Sequence, residues 1–305
     1  MIRKFAAATA LAVVLVGSAQ AQSKNMSAQE QANLKMVLNW WHDVLMAGHV
    51  ELAPKYMAED YIQHNPNVST GRAAFMQFFG SFAKPKPLES VPMPAPAYQF
   101  AKGDYVVLVW DHEEKDPTDA SKTYKYNTFD VVRVQNGHAQ EHWDSVMKNP
   151  PRPGQPAQAV IPGVGPPPAW PKNTPEEEKN QSIAFVEFKN ILQYGHVELA
   201  PTVMAEGYIQ HNPNVPSGRE GFMKFFSQIR KPEPIKDEWK SKPALVITSG
   251  DLVLVMSDRT DKDPADPSKT YKWNWFDMVR VDNGMVQEHW DMAKKNPPPA
   301  AKPTV

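Results

Sequence analysis

The sequence Glu141-His142-Trp143-Asp144 recurs as Glu288-His289-Trp290-Asp291, an offset of 147 residues (141 to 288). Upstream, Tyr61-Ile62-Gln63-His64-Asn65-Pro66-Asn67-Val68 recurs as Tyr208–Val215 at the same offset. Because the offset is constant, no net insertion separates the two motifs in either copy. Each copy is large enough for a core of its own, whereas a solenoid is made of shorter and more numerous units. The sequence therefore predicts two tandem copies of one domain.

The order of local signals is the same in both copies and begins with helices. A capping box of Ser27 with Glu30 predicts the start of the first helix, and Thr174 with Glu177 predicts its counterpart. Both helices are predicted to end at the glycine of Gly-His-Val-Glu-Leu-Ala-Pro, a motif that the two copies share. A short helix, the Tyr-Ile-Gln-His segment and a third helix follow.

The second half of each copy has the pattern of strands. In the first copy, strands are predicted over Tyr105–Trp110, Lys122–Val134 and His138–Val146, after a helix over about 71–82. The last two strands flank an Asn136-Gly137 turn, which is typical of a hairpin. Helices followed by an antiparallel sheet predict an α+β fold class for each domain.

Between the copies the chain is rich in proline, which favours extended conformations and predicts a semi-rigid linker that packs poorly. The predicted division is a signal peptide over 1–21, a first domain over 22–148, a linker over 149–174, a second domain over 175–297 and a tail over 298–305.

The N-terminal sequence is typical of a secretory signal peptide. Arg3 and Lys4 precede an apolar stretch, Phe5–Val16, and a small-residue site, Ala19-Gln20-Ala21. Cleavage before Gln22 is predicted, which would leave a periplasmic or secreted protein with no membrane segment. The absence of cysteine excludes disulfides and thiol catalysis. A formal net charge of −1 gives no electrostatic reason to expect a nucleic-acid partner.

Taken together, Tyr-Ile-Gln-His-Asn-Pro, Gly71-Arg72, Phe129–Val134 and Glu-His-Trp-Asp resemble the SnoaL-like branch of the NTF2-like superfamily. The resemblance covers nearly all of both copies. It implies a cone-shaped fold in which a curved sheet and helices enclose an apolar pocket. Members include polyketide cyclases that perform aldol condensations, in which the aspartate matching Asp144 is the acid–base residue. The position matching Asp130 is a histidine in those cyclases, so the details of their mechanism do not carry over.

The register of the hairpin decides which side chains share the pocket. Alternation puts His142 and Asp144 on one face of their strand. A two-residue loop at Asn136-Gly137 would place Phe129 opposite Asp144, whereas a type I turn with a glycine bulge would place Asp130 opposite His142. The second register is favoured because it gathers the titratable groups on one face and lets opposite charges meet on the other.

A carboxyl group in an apolar pocket has a raised pKa and can exchange protons near neutral pH, while a nearby imidazole or phenol can stabilise an enolate oxygen. Asp144 and Asp291 are predicted to act as the base, with neighbouring histidines orienting substrate or stabilising the oxyanion. The structural alternatives are a satisfied carboxylate and core or turn histidines. The predicted catalytic set is Asp144, His142, His64, Asp130, Asp291, His289, His211 and Asp277. The predicted pocket residues are Tyr61, Trp110, Tyr126, Tyr208 and Trp273.

Neither a cofactor nor a metal is predicted. Proton transfer next to a carbonyl group needs no cofactor. A metal triad of His64, His142 and Asp144 is weakly supported, because one His-x-Asp strand lacks an accompanying ligand-rich loop. The copies also differ around the predicted site, which indicates either two different pockets or drift on an outer surface. In the first copy these positions are Trp110, His112, Tyr126 and Thr128, and in the second they are Ser257, Arg259, Trp273 and Trp275.

The leading hypothesis is an exported protein that carries out general acid–base chemistry on a small, largely apolar carbonyl compound. Aldol condensation, cyclisation and isomerisation are reactions of this kind. The alternative is a non-catalytic module that binds a small apolar ligand, or another protein, outside the cytoplasm.

The face of the hairpin opposite the pocket is predicted to be apolar. It carries Phe129, Val131 and Trp143 in the first copy and Phe276, Met278 and Trp290 in the second. We expect the two domains to bury these faces against each other as a pseudo-two-fold pair, and the mature chain to be a monomer. The alternative is two separate domains on a semi-rigid linker.

Overall fold

The computed structural model describes residues 26–151, 160–163, 165 and 167–297. The predicted signal peptide and tail lie outside these residues. Within them, no helix is both long enough and apolar enough to cross a membrane. The described chain forms two units of the same construction, and we number the helices and strands through both.

The first unit begins with its helices and ends with its sheet. Helix α1 (Ala28–Trp40) continues through wider π-helical turns over Trp41–Met46, and a 3-10 turn (Val50–Leu52) leads into α2 (Ala53–Tyr56). The remaining elements are β1 (Met57–Gln63), α3 (Arg72–Gly80), a 3-10 turn (Leu88–Ser90), β2 (Tyr98–Lys102), β3 (Tyr105–Asp116), β4 (Asp119–Gln135) and β5 (His138–Asp144).

The second unit repeats this order. Helix α4 (Pro175–Phe185) continues through π-helical turns over Val186–Gln193, and a 3-10 turn (Val197–Leu199) leads into α5 (Ala200–Val203). The remaining elements are β6 (Met204–Gln210), α6 (Arg219–Ile229), β7 (Leu245–Ser249), β8 (Leu252–Asp263), β9 (Asp266–Asp282) and β10 (Met285–Asp291).

Both first helices begin at the capping boxes that the sequence predicts. The Ser27 hydroxyl accepts from the Glu30 amide while the Glu30 carboxylate accepts from the Ser27 amide, and Thr174 with Glu177 does the same. After the first helix, Gly48 has φ +78°, and a Cβ there would lie 3.0 Å from the backbone oxygen of Lys84. Only glycine meets both conditions, so the motif fixes the end of the helix.

Each sheet has five strands, in the order β1-β5-β4-β3-β2 and β6-β10-β9-β8-β7. Strands β2 to β5 pair antiparallel, but β1 pairs parallel with β5, and β6 pairs parallel with β10. The α+β class is therefore confirmed, while the expectation of a purely antiparallel sheet is wrong. The chain leaves β1 for α3 and returns to the sheet at its opposite edge, in β2, with three strands between β2 and β1.

The hairpin β4–β5 has a register that neither sequence alternative described. Asn136 and Gly137 form a two-residue turn with φ +51° and +75°. Pairing then shifts by one residue at Gln140, so that Asp130 lies opposite Asp144. Gly137 has the predicted positive φ, but the bulge is at Gln140 rather than at the turn. Asp130, His142 and Asp144 nevertheless lie on one face, as predicted. A one-residue bulge reverses the face that the following side chains of β5 occupy, whether it falls at the turn or at Gln140.

One face of each sheet packs on its own helices, and the other faces meet between the units. Phe129 and Phe276 stack at the centre of this contact, with ring centroids 5.7 Å apart and planes 3° from parallel. One buried apolar cluster contains residues of both units. From the hairpin strands it includes Phe129, Val131, Trp143, Phe276, Met278 and Trp290.

Lysines that follow the last strand of each unit extend this contact. Lys148 Nζ lies 2.5 Å from Asp263 Oδ2, and the equivalent Lys295 pairs with Asp116. In each case the carboxylate lies at the end of the other unit's long hairpin. The exchange is reciprocal, as a pseudo-two-fold axis through Phe129 and Phe276 requires.

The described part of the linker is packed, contrary to the prediction. The Trp170 indole donates to the Ala244 oxygen at 3.1 Å and its ring is partly buried against both sheets. Ile161 exchanges hydrogen bonds with Ser69 and Thr70. Proline content indicated the extended backbone, but Trp170 packs on the units and the backbone of Ile161 is hydrogen-bonded, while the Ile161 side chain is 72% exposed.

Phe276→Ala should destabilise the chain strongly, because it removes a fully buried ring from the contact between the units. We expect the free energy of unfolding, measured with urea, to fall by about 3–5 kcal/mol. Phe82→Ala is the control, because that ring is 59% exposed and its loss should cost less than about 1 kcal/mol. Equal losses in the two variants would show that the contact between the sheets contributes little.

Candidate functional site

Three titratable side chains of β4 and β5 converge on the helix side of the first sheet. Asp130 and Asp144 are opposite each other across the hairpin, and His142 lies two residues before Asp144 on the same face. Parallel pairing sets Gln63 of β1 beside His142, so the end of β1 delivers a further polar group to the cluster. Leu108 of β3, opposite Asp130, belongs to the apolar core around it.

Hydrogen bonds fix the orientation of each group in the first unit. His142 Nε2 donates to Asp130 Oδ1 at 2.9 Å, and Gln63 Nε2 donates to His142 Nδ1 at 3.2 Å. The Asn65 side chain donates to Asp144 Oδ2 at 2.7 Å. The Asn65 amide also donates to the Gln63 side-chain oxygen, which settles which end of that amide faces the histidine.

Burial sets the pKa of Asp144. The carboxyl group is removed from water, which disfavours its charged form and raises its pKa to about 6. The charge of His142 partly opposes this effect, and that of Asp130 adds to it. Burial also disfavours the charged form of His142, but the hydrogen bond to Asp130 and the charges of Asp130 and Asp144 together outweigh it and raise the pKa of His142. Asp144 can therefore change protonation state near neutral pH.

Tryptophans cover the site of the first unit. The Trp110 indole donates to Asp130 Oδ2 at 2.8 Å, and Trp41 stacks on Trp110 with centroids 6.1 Å apart. Trp40 and Trp41 meet the His142 ring edge-to-face at 6.1 and 5.7 Å. These rings fill the space beside the His142 imidazole, and the hydrogen bond from Trp110 occupies one carboxylate oxygen of Asp130.

The second unit has the same aspartates and histidine but a different neighbour. His289 Nε2 donates to Asp277 Oδ1 at 3.1 Å, and the Asn212 side chain donates to Asp291 Oδ2 at 2.7 Å. Glu187, which replaces Trp40, lies 2.8 Å from His289 Nδ1 and is fully buried. Its other oxygen has no hydrogen-bond partner among the described residues.

Two carboxylates therefore hold one imidazole in the second unit. Burial disfavours the charged form of His289, but the hydrogen bonds to Asp277 and Glu187 outweigh it and raise the pKa of His289 well above its ordinary value. Burial also raises the pKa of Asp291, with the charge of His289 acting against it. The two carboxylates thus favour the charged form of His289, while burial favours the protonated form of Asp291.

A cavity of about 550 Å³ opens onto this second site and is lined by Asp277, His289 and Asp291. Ser257 and Phe188 line it at the positions that Trp110 and Trp41 hold in the first unit. The smaller side chains leave room where the first unit has indole rings. Its apolar wall includes Phe188, Leu192, Phe222, Phe225, Phe226 and Trp239. A depression of about 500 Å³ in the first unit is lined by other residues, along β1 and the Asn136-Gly137 hairpin.

The structure does not bring His64 and His211 to the sites. His64 Nε2 is 2.9 Å from Glu141 and its ring stacks on Trp143, on the face opposite Asp144. His211 stacks on Trp290 in the same way. The prediction that these histidines act beside the aspartates is corrected, because they follow the strand by one residue and alternation points them away. Arg133 also donates to Glu141, so a largely buried ion-pair network holds His64.

The predicted pocket residues fall into three groups. Tyr61 and Tyr208 are buried behind the sites, where each hydroxyl accepts from the glutamine two residues later. Trp110 covers the first site. Tyr126 and Trp273 lie further along the hairpins, bonded to Glu114 and Asp261 respectively. Trp275, two residues from Trp273, lines the cavity instead.

Each cluster also has the spacing to hold a metal ion: Asp130, His142 and Asp144 in one unit, and Asp277, His289 and Asp291 in the other. The hydrogen bonds favour a different use. In the second unit both ring nitrogens of His289 are hydrogen-bonded to carboxylates, Nε2 to Asp277 and Nδ1 to Glu187.

Sequence reasoning missed Glu187, Asn65 and Asn212. The asparagines lie in the repeated Gln-His-Asn-Pro motif, and their recurrence in both copies was the available signal. Glu187 aligns with Trp40 at the constant offset. The available signal was therefore a glutamate at a position where the first copy has an apolar side chain.

The sequence comparison gives one family. Residues 35–148 match the family model of SnoaL-like polyketide cyclases. This match confirms the resemblance predicted from the motifs, and it falls on the first unit. The second unit shares the motifs at a constant offset and the same strand order. No curated protein matches the chain.

Solved structures with similar folds are distant in sequence. A proposed polyketide cyclase from Bacillus cereus ATCC 10987 is 20% identical, with 37% of this chain and 72% of that chain covered at a TM-score of 0.27. An NTF2-like protein from Mesorhizobium loti is 17% identical, with 40% and 97% covered at 0.28. An LEH-like epoxide hydrolase from M. tuberculosis is 14% identical, with 39% and 81% covered at 0.29.

Asp144→Asn should stabilise the chain more at pH 8 than at pH 4. The folded-state pKa of about 6 lies above the unfolded value, so the stability that the protonated carboxyl group contributes is lost as pH rises through 6. An amide does not ionise, so we expect the variant to gain roughly 2 kcal/mol relative to the parent between these pH values. Urea unfolding at both pH values measures the difference in free energy of unfolding between the variant and the parent, with the exposed Asp104→Asn as the control. A difference that does not change with pH would contradict the raised pKa of Asp144.

Proposed function

We propose that the chain is an exported protein whose second unit performs general acid–base chemistry on a small carbonyl compound in the 550 Å³ cavity. The observation that carries the proposal is the placement of Asp291 beside His289 in the lining of a cavity that has a partly aromatic wall. A carboxyl group with a raised pKa is a stronger base once ionised than an exposed one. The basic start, apolar stretch and Ala-Gln-Ala site of residues 1–21 support export.

In this proposal Asp291 removes a proton from the carbon next to the carbonyl group. The electron pair of that bond moves onto the carbonyl oxygen and gives an enolate. The positive charge of His289 favours the negative charge that develops in the cavity. Where a carbon–carbon double bond is conjugated with the enolate, return of the proton from Asp291 at the far carbon completes an isomerisation. Attack of the enolate carbon on a second carbonyl group gives an alkoxide, which takes the proton from Asp291 and completes an aldol reaction. The second outcome is the cyclase chemistry that the family name suggests.

Glu187 acts through His289 rather than on substrate. It lies behind the imidazole and holds Nδ1, as Asp277 holds Nε2. In the first unit a glutamine amide donates to the same ring nitrogen, which suits a neutral imidazole. We therefore assign the chemistry to the second unit and a mainly structural role to the tryptophan-covered site of the first. The buried contact between the units supports a monomeric mature chain.

Asp291→Asn should abolish proton transfer, whereas Asp144→Asn should leave it unchanged. The assay is exchange of the α-protons of propiophenone in D₂O, followed by ¹H NMR with the mature chain. We expect the parent to accelerate exchange and Asp291→Asn to lose about 10²–10⁴-fold of that rate. The rate should rise with pH as Asp291 ionises.

The two substitutions are matched, because each replaces the last-strand aspartate of one unit. An unchanged rate in folded Asp291→Asn would contradict the assignment. Binding of propiophenone by the parent without any acceleration of exchange would instead favour the non-catalytic binding module.

A further inference from the structure

Cationic side chains line the same cavity as Asp291. Arg230 follows α6, Lys240 lies in the loop before β7, and Arg259 lies on β8. All three are exposed, so they lie where the cavity meets solvent. A ligand entering the cavity therefore passes three positive charges.

These charges are specific to the second copy. At the constant offset, the first copy has Ala83, Met93 and His112 in place of Arg230, Lys240 and Arg259. The two copies otherwise keep the same strand order and the same aspartate–histidine cluster. The copy with an open cavity is thus the copy with a cationic mouth.

Among the described residues, the two arginines form no salt bridge with a carboxylate. Lys240 Nζ pairs with Glu233 at 2.7 Å. Among the described residues, Arg230 and Arg259 have no salt-bridge partner within 4.0 Å. The Arg259 guanidinium lies 5.9 Å from the ring centroid of Trp275, which also lines the cavity. This contact places the exposed guanidinium group beside the wall of the cavity.

The strand pairing places the cationic mouth away from the acid–base cluster. Val255 of β8 lies opposite Asp277, and Arg259 is four residues further along the same strand face. Four residues of a strand span about 13 Å. A ligand that reaches both ends therefore has an apolar body between them, matched by Phe226, Trp239 and Trp275 on the walls.

We propose that Arg230 and Arg259 form an anion-binding subsite, so that the cavity takes a compound with an apolar, aromatic-sized body and a carboxylate or sulfonate at one end. The placement of the reacting carbonyl group beside Asp291 rests on the proposed function. The anion subsite itself is independent of catalysis, because it concerns binding at the mouth.

A matched pair of fluorescent probes tests the subsite. The anion 1-anilinonaphthalene-8-sulfonate and the neutral N-phenyl-1-naphthylamine share one apolar body and differ in the sulfonate. Titration of the mature chain should give tighter binding of the anion. The double variant Arg230→Met, Arg259→Met should weaken binding of the anion about tenfold or more, and change binding of the neutral probe less than about twofold.

His112→Met, at the first-unit position equivalent to Arg259, is the control and should change neither affinity. Circular dichroism of each variant checks that the fold is intact. Equal affinity of the parent for the two probes, or an equal loss of both probes in the double variant, would overturn the subsite. Neither outcome depends on whether propiophenone exchange is observed, so failure of the subsite and failure of the proposed function are distinguishable.

Discussion

An extra residue in the last strand of each unit, Gln140 in β5 and Gln287 in β10, determines which side chains face the pocket and which face the other unit. After the bulge, His142 and Asp144 point to the helices, while Trp143 points to the contact between the sheets. Since side chains alternate along a strand, a register without this shift would exchange the two sets. His142 and Asp144 would then lie in the apolar contact, away from Asp130, where these two titratable groups could not be solvated. The domain pair and the site therefore depend on the same bulge.

On this shared backbone, the two copies differ through a small number of side chains. In the first unit, indole rings fill the space in front of His142 and one of them bonds Asp130. In the second unit, Ser257 and Phe188 leave a cavity, and Glu187 gives the imidazole a second carboxylate. Both copies keep the contact between the units, and they differ in the side chains on the opposite face of the sheet. The reciprocal lysine pairs show that the contact has remained symmetric.

The sequence predicted what depends on local chemistry or on repetition. The capping boxes, the hairpin turn, the tandem organisation and the face shared by Asp130, His142 and Asp144 followed from the residues themselves. It did not predict the parallel pairing of β1 with β5, because no local pattern distinguishes a parallel partner from an antiparallel one. The sequence analysis placed His64 in the site. Because His64 follows Gln63, the last residue of β1, alternation turns its side chain to the opposite face of the sheet. Glu187 was missed because its role depends on a histidine more than a hundred residues away in the chain.

The central proposal is that, among the described residues, the cavity of the second unit binds the ligand and that indole rings close its counterpart in the first. The number of 1-anilinonaphthalene-8-sulfonate molecules bound per chain, measured by isothermal titration calorimetry, tests this claim most directly. The parent should bind one molecule per chain, and Ser257→Trp, which introduces the first unit's residue into the second, should bind none while keeping its fold. Two molecules per parent chain, or binding that persists in folded Ser257→Trp, would contradict the account.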